Sequence, residues 1–409
     1  EFQTVPRPGE PFNDTWGNGW ENRGGTNMWA FAATVDAERG IAYLPIAGPA
    51  ANYYGGDRPG NNVFANSIVA VEAETGRYLW HFQTVHHDLW DMDVPSQPQL
   101  VHLQVDAEMV PALVQATKQG DIYVLDRRTG EPILPVTDEP APQGAVEGDF
   151  TAATQPVSAL TFAPRPLRES DMWGTTLLDQ LYCRIRFHSL DYQSRYTPPS
   201  TNGAIVYPGN FGTFNWGGVA IDPVRQVVFA NPVYLAFTVT LIPRADDETS
   251  YVSEGEPGFN ENCGAPYAAA MKPFLSPIKL PCQAPPWGYV AAADLTTGEV
   301  IWRHRNGTVR DLSPVPLPLE MGVPAIGGPI VTAGGVMFHS GTLDNYVRAF
   351  DVRSGTELWR ARLPAGGQAT PMTYLGADGR QYLVIVAGGH GSTGTDAGDS
   401  IIAYALPEG

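Results

Sequence analysis

The decapeptide VEAETGRYLW, residues 71–80, has three gapless counterparts further along the chain. They are LDRRTGEPIL (125–134), ADLTTGEVIW (293–302) and FDVRSGTELW (350–359). All four have an acidic residue at the second position, glycine at the sixth and a large apolar residue at the tenth. An acid, a hydroxyl and a glycine that tolerates positive φ are typical of a tight turn. We therefore interpret each decapeptide as a β-hairpin turn whose second strand carries a large apolar side chain into a packed interface.

The spacing of the decapeptides indicates a repeating unit of about 55 residues. The tenth position recurs after 54 residues from Trp80 to Leu134, after 168 to Trp302 and after 57 to Trp359. Because 168 is close to three units, we expect two degenerate units between Leu134 and Trp302, with strands in the segment 222–232. This period predicts an all-β fold, a β-propeller of four-stranded blades. A β-sandwich with coincidental turns is the alternative, which the regular spacing disfavours.

The composition is that of a globular protein with many turns. The chain has 409 residues, 43% hydrophobic and 17% charged, with 44 glycines and 37 prolines. The net charge of −18 disfavours binding to nucleic acid or to an anionic membrane. No run of 18 apolar residues occurs, so no transmembrane helix is predicted. The segments 137–200 and 240–285 lack the repeat, and we expect them to be long insertions on one face of the ring, where propellers usually build sites.

The three cysteines, Cys183, Cys263 and Cys282, leave two interpretations open. No CxxC motif is present, which disfavours a zinc ribbon, and no CxxCH motif, which disfavours a c-type haem. An exported protein would form one disulfide, whereas a reduced cytosolic protein would keep all three as buried thiols.

The densest group of titratable residues is HHDLWDMD, residues 86–93. It is consistent with a metal site, with a catalytic base in an apolar wall, or with a polar loop. Adjacent histidines on a strand point to opposite faces, so the pair is poorly arranged to bind one ion. Trp90 and Met92 flank Asp91 and would partly desolvate its carboxyl group, which raises a carboxyl pKa.

Over almost its whole length the sequence resembles the PQQ-dependent dehydrogenases, a family of eight-bladed propellers. The decapeptides resemble the tryptophan-docking motif of that family. The likeness is also carried by TNMWAF (26–31), FQTVHHDLWDMDVPSQPQL (82–100), ATKQGDIYVLDRRTG (116–130), FNWGGVAIDP (214–223), DNYVRAFD (344–351) and AGGHGSTGT (387–395). The branch it most resembles is typified by membrane-type quinoprotein glucose dehydrogenase and includes quinate and polyol oxidisers.

The resemblance implies roles for four residues in these stretches. Trp29 matches the floor tryptophan on which the PQQ rings stack. Asp91 matches the catalytic base, which takes the proton of the substrate hydroxyl while hydride passes to the cofactor. Lys118 matches the lysine that holds a quinone oxygen of PQQ, and Asp344 matches an acid that pairs with that lysine.

Further residues are implied in the same way. Asn231 matches an amide that binds PQQ, and His390 matches a histidine at the mouth of the substrate pocket. The family uses Ca²⁺ or Mg²⁺ to polarise the quinone, and Asn52 is the candidate metal ligand, with other ligands expected upstream of the matched segment. The disulfide favoured by the resemblance is Cys183–Cys282, which leaves Cys263 outside the pair, although the residues equally allow Cys263–Cys282.

The function implied is oxidation of a sugar or polyol hydroxyl by a periplasmic enzyme, with a glucose-like aldose as the leading substrate. Electrons would pass to ubiquinone or to a separate cytochrome. Quinate or another alcohol is the alternative within the family, and a cofactor-free propeller scaffold is the alternative from another class. Residues 1–409 are expected to form a single propeller domain that covers roughly the C-terminal two-thirds of the family's fold. The missing blades would then come from an N-terminal region, which would also provide any membrane association, or from a partner chain.

Overall fold

The computed structural model describes residues 1–22, 25–29, 32–244, 259–311 and 316–406. Within them, five antiparallel sheets pack one against the next, and we call these sheets blades one to five. The helices are α1 (Gly19–Asn22) and α2 (Leu177–His188), with short 3₁₀ turns at Asn13–Trp16, Glu169–Asp171 and Gly391–Thr393. In the described part of the chain, no helix has the length and apolar character needed to cross a membrane.

Blades one and two follow each other directly in the chain. Blade one contains β1 (Thr34–Asp36), β2 (Ile41–Ile46), β3 (Ser67–Glu72) and β4 (Tyr78–Gln83) in that order across the sheet. Blade two contains β5 (Gln99–Val105), β6 (Glu108–Ala116) and β7 (Ile122–Asp126). A separate hairpin follows, made of β8 (Val136–Pro140) and β9 (Thr154–Ser158).

The next eight strands belong to two interleaved sheets. They are β10 (Ala204–Val206), β11 (Ala220–Asp222), β12 (Val227–Ala230), β13 (Phe237–Pro243), β14 (Phe259–Asn260), β15 (Tyr267–Pro273), β16 (Tyr289–Asp294) and β17 (Val300–Arg305). Blade three has the order β11-β12-β16-β17. The other four strands form a second sheet in the order β10-β13-β15-β14, which we call the inserted sheet.

The remaining strands complete blades four and five. Blade four contains β18 (Ile330–Val331), β19 (Val336–His339), β20 (Tyr346–Asp351) and β21 (Glu357–Arg362). Blade five contains β22 (Met372–Leu375), β23 (Gln381–Ala387) and β24 (Ser400–Ala405).

The four decapeptides form the same turn, as predicted. In each, the glycine N–H donates to the carbonyl of the acidic residue at 2.8–3.0 Å, and the glycine has a φ between 69° and 79°. These glycines are Gly76, Gly130, Gly298 and Gly355. Because this φ is unfavourable for residues with a Cβ atom, the turn requires glycine.

The first three decapeptides each dock on the glycine of the next blade's decapeptide. A Cβ on Gly130 would lie 2.5 Å from the Trp80 ring, and one on Gly355 would lie 2.6 Å from the Trp302 ring. In the same way, Leu134 of blade two is next to Gly298 of blade three. Blades two and three are therefore neighbours, and the expectation of two degenerate units between Leu134 and Trp302 is wrong. The segment 222–232 does supply strands, but they belong to the blade that ends in Trp302.

The interval between Leu134 and Trp302 also contains structure outside the blades, and three strands of the inserted sheet lie between β12 and β16 of blade three. The hairpin β8–β9, helix α2 and the inserted sheet account for most of this additional structure. Cys183 in α2 forms a disulfide with Cys282, so the predicted pairing is confirmed, and Cys263 is exposed outside it. The Thr176 side chain caps α2 by accepting from Asp179 N at 3.1 Å.

Candidate functional site

The loop at residues 86–93 is folded by its first aspartate. Asp88 Oδ1 accepts from Trp90 N at 2.8 Å, and Asp88 Oδ2 accepts from Met92 N at 2.9 Å. His87 and Asp91 both have left-handed φ values, of 48° and 61°. This winding separates the loop into an apolar side and a charged side, because it places Asp91 away from its sequence neighbours Trp90 and Met92.

The three apolar residues of the loop, Leu89, Trp90 and Met92, are all buried. Trp90 and Met92 pack with Val206, Val239 and Leu241 of the inserted sheet. The Trp90 indole N–H also donates to Thr197 O at 2.7 Å. The inserted sheet and Thr197 thus hold the apolar side of the loop in place.

The two histidines support the loop, in agreement with the prediction. His87 is fully buried, with Nδ1 2.8 Å from Gly60 O and Nε2 2.9 Å from Asp149 Oδ1, and its ring stacks on Phe150. His86 Nδ1 is 3.3 Å from Thr154 O. In the described residues, no group of three or more His, Cys, Asp or Glu side chains is arranged to hold a metal ion.

A lysine shared by two carboxylates lies on the charged side of the loop. Lys118 Nζ donates to Asp93 Oδ2 at 2.6 Å, to Asp91 Oδ2 at 3.0 Å and to Asp91 O at 2.9 Å. Asp93 is held in turn by Gly48 N, at 2.8 Å from its Oδ1. The structure therefore brings together two predicted site residues, Asp91 and Lys118, and adds Asp93.

Burial and charge shift the pKa of these groups in opposite directions. Burial raises the pKa of Asp91 to about 7; Lys118 opposes that rise, and the carboxylates of Asp93 and Asp88 add to it. Burial alone would lower the pKa of Lys118, but its two carboxylate partners outweigh burial and raise it above its usual range. The lysine is thus charged near neutral pH, whereas Asp91 is near the midpoint of its titration.

A row of three rings contains two other predicted residues. The Trp29 and Trp216 rings are 5.5 Å apart and edge-on, and Trp216 lies 5.3 Å from the His390 ring. Trp29 is 38% exposed, so an aromatic surface is open beside it. Trp216 was missed as a site residue, although it lies in the quoted stretch FNWGGVAIDP.

Asn231 belongs to a buried polar chain at the inner ends of blades three and four. Its Nδ2 donates to Gly327 O at 3.1 Å, and His339 Nε2 lies 3.0 Å from the same oxygen. His339 Nδ1 is 3.1 Å from the Asn306 side chain. Burial lowers the pKa of His339 to about 4, so its ring is neutral at physiological pH. Nothing in the sequence motifs distinguished His339 beforehand.

Asp344 is also buried, but the predicted pairing with Lys118 is wrong. Its carboxylate accepts from Thr308 N at 2.8 Å, Thr342 Oγ1 at 2.7 Å and both Arg348 guanidinium nitrogens. Arg348 lies four residues along, in the same blade, and it neutralises the carboxylate locally. Lys118 has its own carboxylates in Asp91 and Asp93, which leaves the two ion pairs separate.

One segment, residues 212–218, contacts the surroundings of Lys118, contributes to the aromatic row and approaches the contact made by Asn231. Thr213 N donates to Lys118 O at 2.7 Å, and Trp216 follows in the aromatic row. A Cβ on Gly217 would lie 2.0 Å from Gly328 N, next to the Gly327 carbonyl that Asn231 contacts. Glycine is required at Gly217 because blade four approaches the segment at backbone distance. Lys118, Trp216 and Asn231 are therefore neighbours through this segment.

A family model described as "PQQ: Glucose/ethanol/alcohol dehydrogenase, beta-propeller domain" matches residues 1–383. The chain belongs to this family. The predicted all-β propeller fold is thereby confirmed, together with the resemblance to PQQ-dependent dehydrogenases.

Individual members of the PQQ family show how far the similarity extends. The quinoprotein glucose dehydrogenase of Gluconobacter oxydans (strain 621H) is 49% identical over 403 residues, covering 93% of this chain and 50% of that protein. The probable quinate dehydrogenase (quinone) of Xanthomonas campestris pv. juglandis is 42% identical over 397 residues, with coverages of 93% and 50%. The chain spans about half the length of these curated relatives.

A solved structure shares the fold. The quinohemoprotein alcohol dehydrogenase from Comamonas testosteroni has a TM-score of 0.63 at 22% identity, covering 97% of this chain and 52% of that chain. At this level of identity the likeness concerns the fold alone.

The described residues fit PQQ better than they fit the metal of the family. A flat, carboxylate-bearing quinone requires aromatic surface and polar donors, which Trp29, Trp216, Lys118 and Asn231 provide. For the metal, the Asn52 amide lies 3.4 Å from Asp91 Oδ1, and the described residues add no further carboxylate cluster around this pair. Two oxygen-bearing side chains fall short of the six or more ligands that Ca²⁺ prefers. The role of Asn52 as a ligand stays a prediction.

Proposed function

We propose that the protein oxidises a hydroxyl group of a sugar or polyol in a PQQ-dependent reaction, with a glucose-like aldose as the leading substrate. The observation that carries this proposal is the placement of Asp91. Its carboxyl group is largely withdrawn from solvent and is held by a lysine that a second carboxylate also contacts.

Asp91 has the properties of a general base. A base is most effective when its pKa lies near the working pH, and burial brings the pKa of Asp91 to about 7. Lys118 holds Oδ2, whereas among the described residues Oδ1 has only the long contact of 3.4 Å with Asn52. Oδ1 is therefore the atom that would take the proton of the substrate hydroxyl, and PQQ, when bound, supplies the hydride acceptor.

Lys118 carries three N–H donors, and its contacts with Asp91 and Asp93 use all of them. To donate to a quinone oxygen, it must give up one of these contacts. The contact with Asp93 is the shortest, at 2.6 Å, so we expect the lysine to keep it and to release one of the two with Asp91. Asp93 would then hold the ammonium group in place during cofactor binding.

Substrate, location and electron acceptor follow from the relatives and from the disulfide. The glucose dehydrogenase relative favours an aldose, and quinate is the second candidate because of the quinate dehydrogenase relative. The disulfide Cys183–Cys282 supports an oxidising compartment such as the periplasm. Ubiquinone or a cytochrome is the expected electron acceptor.

PQQ uptake and a substrate panel test this proposal. Protein incubated with PQQ and Ca²⁺ or Mg²⁺ should bind the cofactor and reduce a dye with glucose, and glycerol and quinate decide between the candidates. Trp29→Leu should weaken PQQ binding, whereas Trp359→Leu should not, because Trp359 is equally exposed, at 39%, but lies at the decapeptide of blade four. Folded protein that takes up no PQQ would contradict the proposal and favour the cofactor-free scaffold.

A further inference from the structure

A cavity of about 370 Å³ lies where blade three meets the insertion. None of the predicted site residues lines it. Its walls are the segment 163–171, residues 283–286, and side chains from the ends of the blade-three and inserted-sheet strands. This volume is in the range of pockets that bind small organic molecules.

Three tyrosine rings form the apolar wall of the cavity. Tyr207 and Tyr234 are buried and Tyr289 is half-buried, and the rings of Tyr234 and Tyr289 are 5.4 Å apart. The Tyr234 hydroxyl donates to Phe162 O at 2.8 Å, which fixes that ring. These rings offer flat apolar surface to a ligand, and such surfaces pack well against planar or aliphatic groups.

The charges that line the cavity leave one positive charge in excess. The two carboxylate oxygens of Asp171 accept hydrogen bonds from the two terminal guanidinium nitrogens of Arg165, at 2.8 and 2.5 Å. The charges of this pair therefore cancel. The guanidinium group of Arg303 lies 4.7 Å from the centroid of the Tyr289 ring, and Arg303 forms no ion pair with any described residue. In a chain of net charge −18, such a cation at a cavity is a local exception.

Covalent and backbone links hold the cavity wall in place. Cys282 precedes the lining segment 283–286 and is bonded to Cys183 of α2. Ala284 N donates to Asp171 O at 2.8 Å, and Trp173 N donates to Cys282 O at 2.7 Å. Because these links already fix the wall, a ligand does not pay the entropy cost of ordering it on binding, and this raises the affinity.

We propose that this cavity binds a small organic carboxylate with a flat or aliphatic apolar body. The guanidinium group of Arg303 holds the carboxylate, since arginine presents paired donors that match it. The three tyrosines contact the apolar body. This site is separate from the residues assigned to the dehydrogenase reaction, and it does not depend on the function proposed above.

Calorimetric titration with benzoate, 3-phenylpropanoate and hexanoate as probes tests the proposal without any substrate turnover. At least one of them should bind saturably at one site per chain. Benzamide, the neutral isostere of benzoate, and the variant Arg303→Gln should each reduce the affinity for that site about tenfold or more, because a charge-assisted hydrogen bond is lost. Ala284→Trp should abolish binding by filling the cavity.

The matched control is Arg305→Gln. Arg305 lies two residues further along β17, does not line the cavity and donates to Glu320 O at 3.3 Å, so its loss should leave probe binding unchanged. No saturable binding of any probe up to roughly 10 mM would overturn the proposal. Binding that Arg303→Gln and Ala284→Trp leave at wild-type strength would overturn it as well.

Discussion

Asp91, which is partly buried, and Asp344, which is fully buried, both lie beside a cation, yet their pKa values shift in opposite directions. For Asp344, burial raises the pKa, but the hydrogen bonds and charge of Arg348 outweigh it, and the pKa falls below the usual value. For Asp91, burial also raises the pKa, and the opposing effect of Lys118 is too weak to reverse it. The two aspartates differ in the number of hydrogen-bond donors that reach their carboxylates. Asp344 has five donors from three residues, whereas the side chain of Asp91 shares its one ammonium group with Asp93.

This comparison separates a structural carboxylate from a reactive one. A carboxylate whose lone pairs are all occupied is stable in its charged form and has no free position for a substrate proton. A carboxylate with few donors and nearby like charges is close to gaining a proton, which suits a base. A nearby cation is therefore not enough to tell whether a buried aspartate is stable in its charged form. The number of hydrogen-bond donors, and whether another carboxylate shares them, decides this.

The largest expected effect is on turnover. Asp91→Asn should lower kcat by about 10²- to 10⁴-fold, because the amide cannot accept the substrate proton. PQQ binding should be retained. Dye-reduction kinetics and cofactor titration measure both, with the exposed turn residue Asp106→Asn as the control. Turnover close to wild type would refute the role of Asp91 as base.

The second effect is a loss of folding stability when Asp344 is replaced. Asp344→Ala should lower the free energy of unfolding by about 3–5 kcal/mol, because it leaves the buried guanidinium group of Arg348 without its carboxylate. Urea denaturation measures this loss. Removal of Asp351, the half-buried turn acid of the same blade, should cost much less. Equal losses from the two variants would show that the Asp344 pair is not structurally important.

The third effect is on the pH dependence of activity. Asp91 acts in its ionised form, so kcat/KM should rise with pH through about 7 and level off above it. Asp93 raises the pKa of Asp91, so Asp93→Asn should move this rise to lower pH. Lys118→Met should move it to higher pH, since Lys118 lowers that pKa. A rise at the same pH in all three proteins would assign the titration to another group.

The smallest effect is on the pH dependence of stability. The folded-state pKa of Asp91 is raised, so the folded protein loses stability through this group as pH rises from about 4 to about 7. Relative to wild type, Asp91→Asn should therefore become more stable as pH rises through this range. For Asp344 the sign is opposite: its contribution is present above a pH of about 4 and lost as pH falls further. Urea titrations at several pH values compare the two, and parallel curves for wild type and Asp91→Asn would contradict the shift.

Two expectations drawn from the sequence were wrong, one about the number of blades and one about the partner of Asp344. The 168-residue interval looked like three units, but the inserted sheet and its neighbours fill it, and Leu134 docks directly on blade three. The partner of Asp344 was taken from the family motif, whereas Arg348, four residues further on, is the cation that reaches it. The first error concerns how blades approach each other, which spacing does not encode. The second arose because a cation close in sequence already satisfies the carboxylate that the motif pairs with a distant lysine.

By itself, the sequence determined the hairpin turns and the propeller class. Through the family resemblance it also favoured the Cys183–Cys282 disulfide and singled out Asp91 and Lys118 as candidate site residues. Turn chemistry and family motifs are local, so they can be read from a few adjacent residues. Only the tertiary structure decided that Asp93 shares Lys118, that Trp216 joins Trp29 to His390, and that Asp344 is satisfied by Arg348. Those outcomes depend on which donors meet inside the fold, because burial and the count of hydrogen bonds, not residue type, fix the charge of a buried carboxylate.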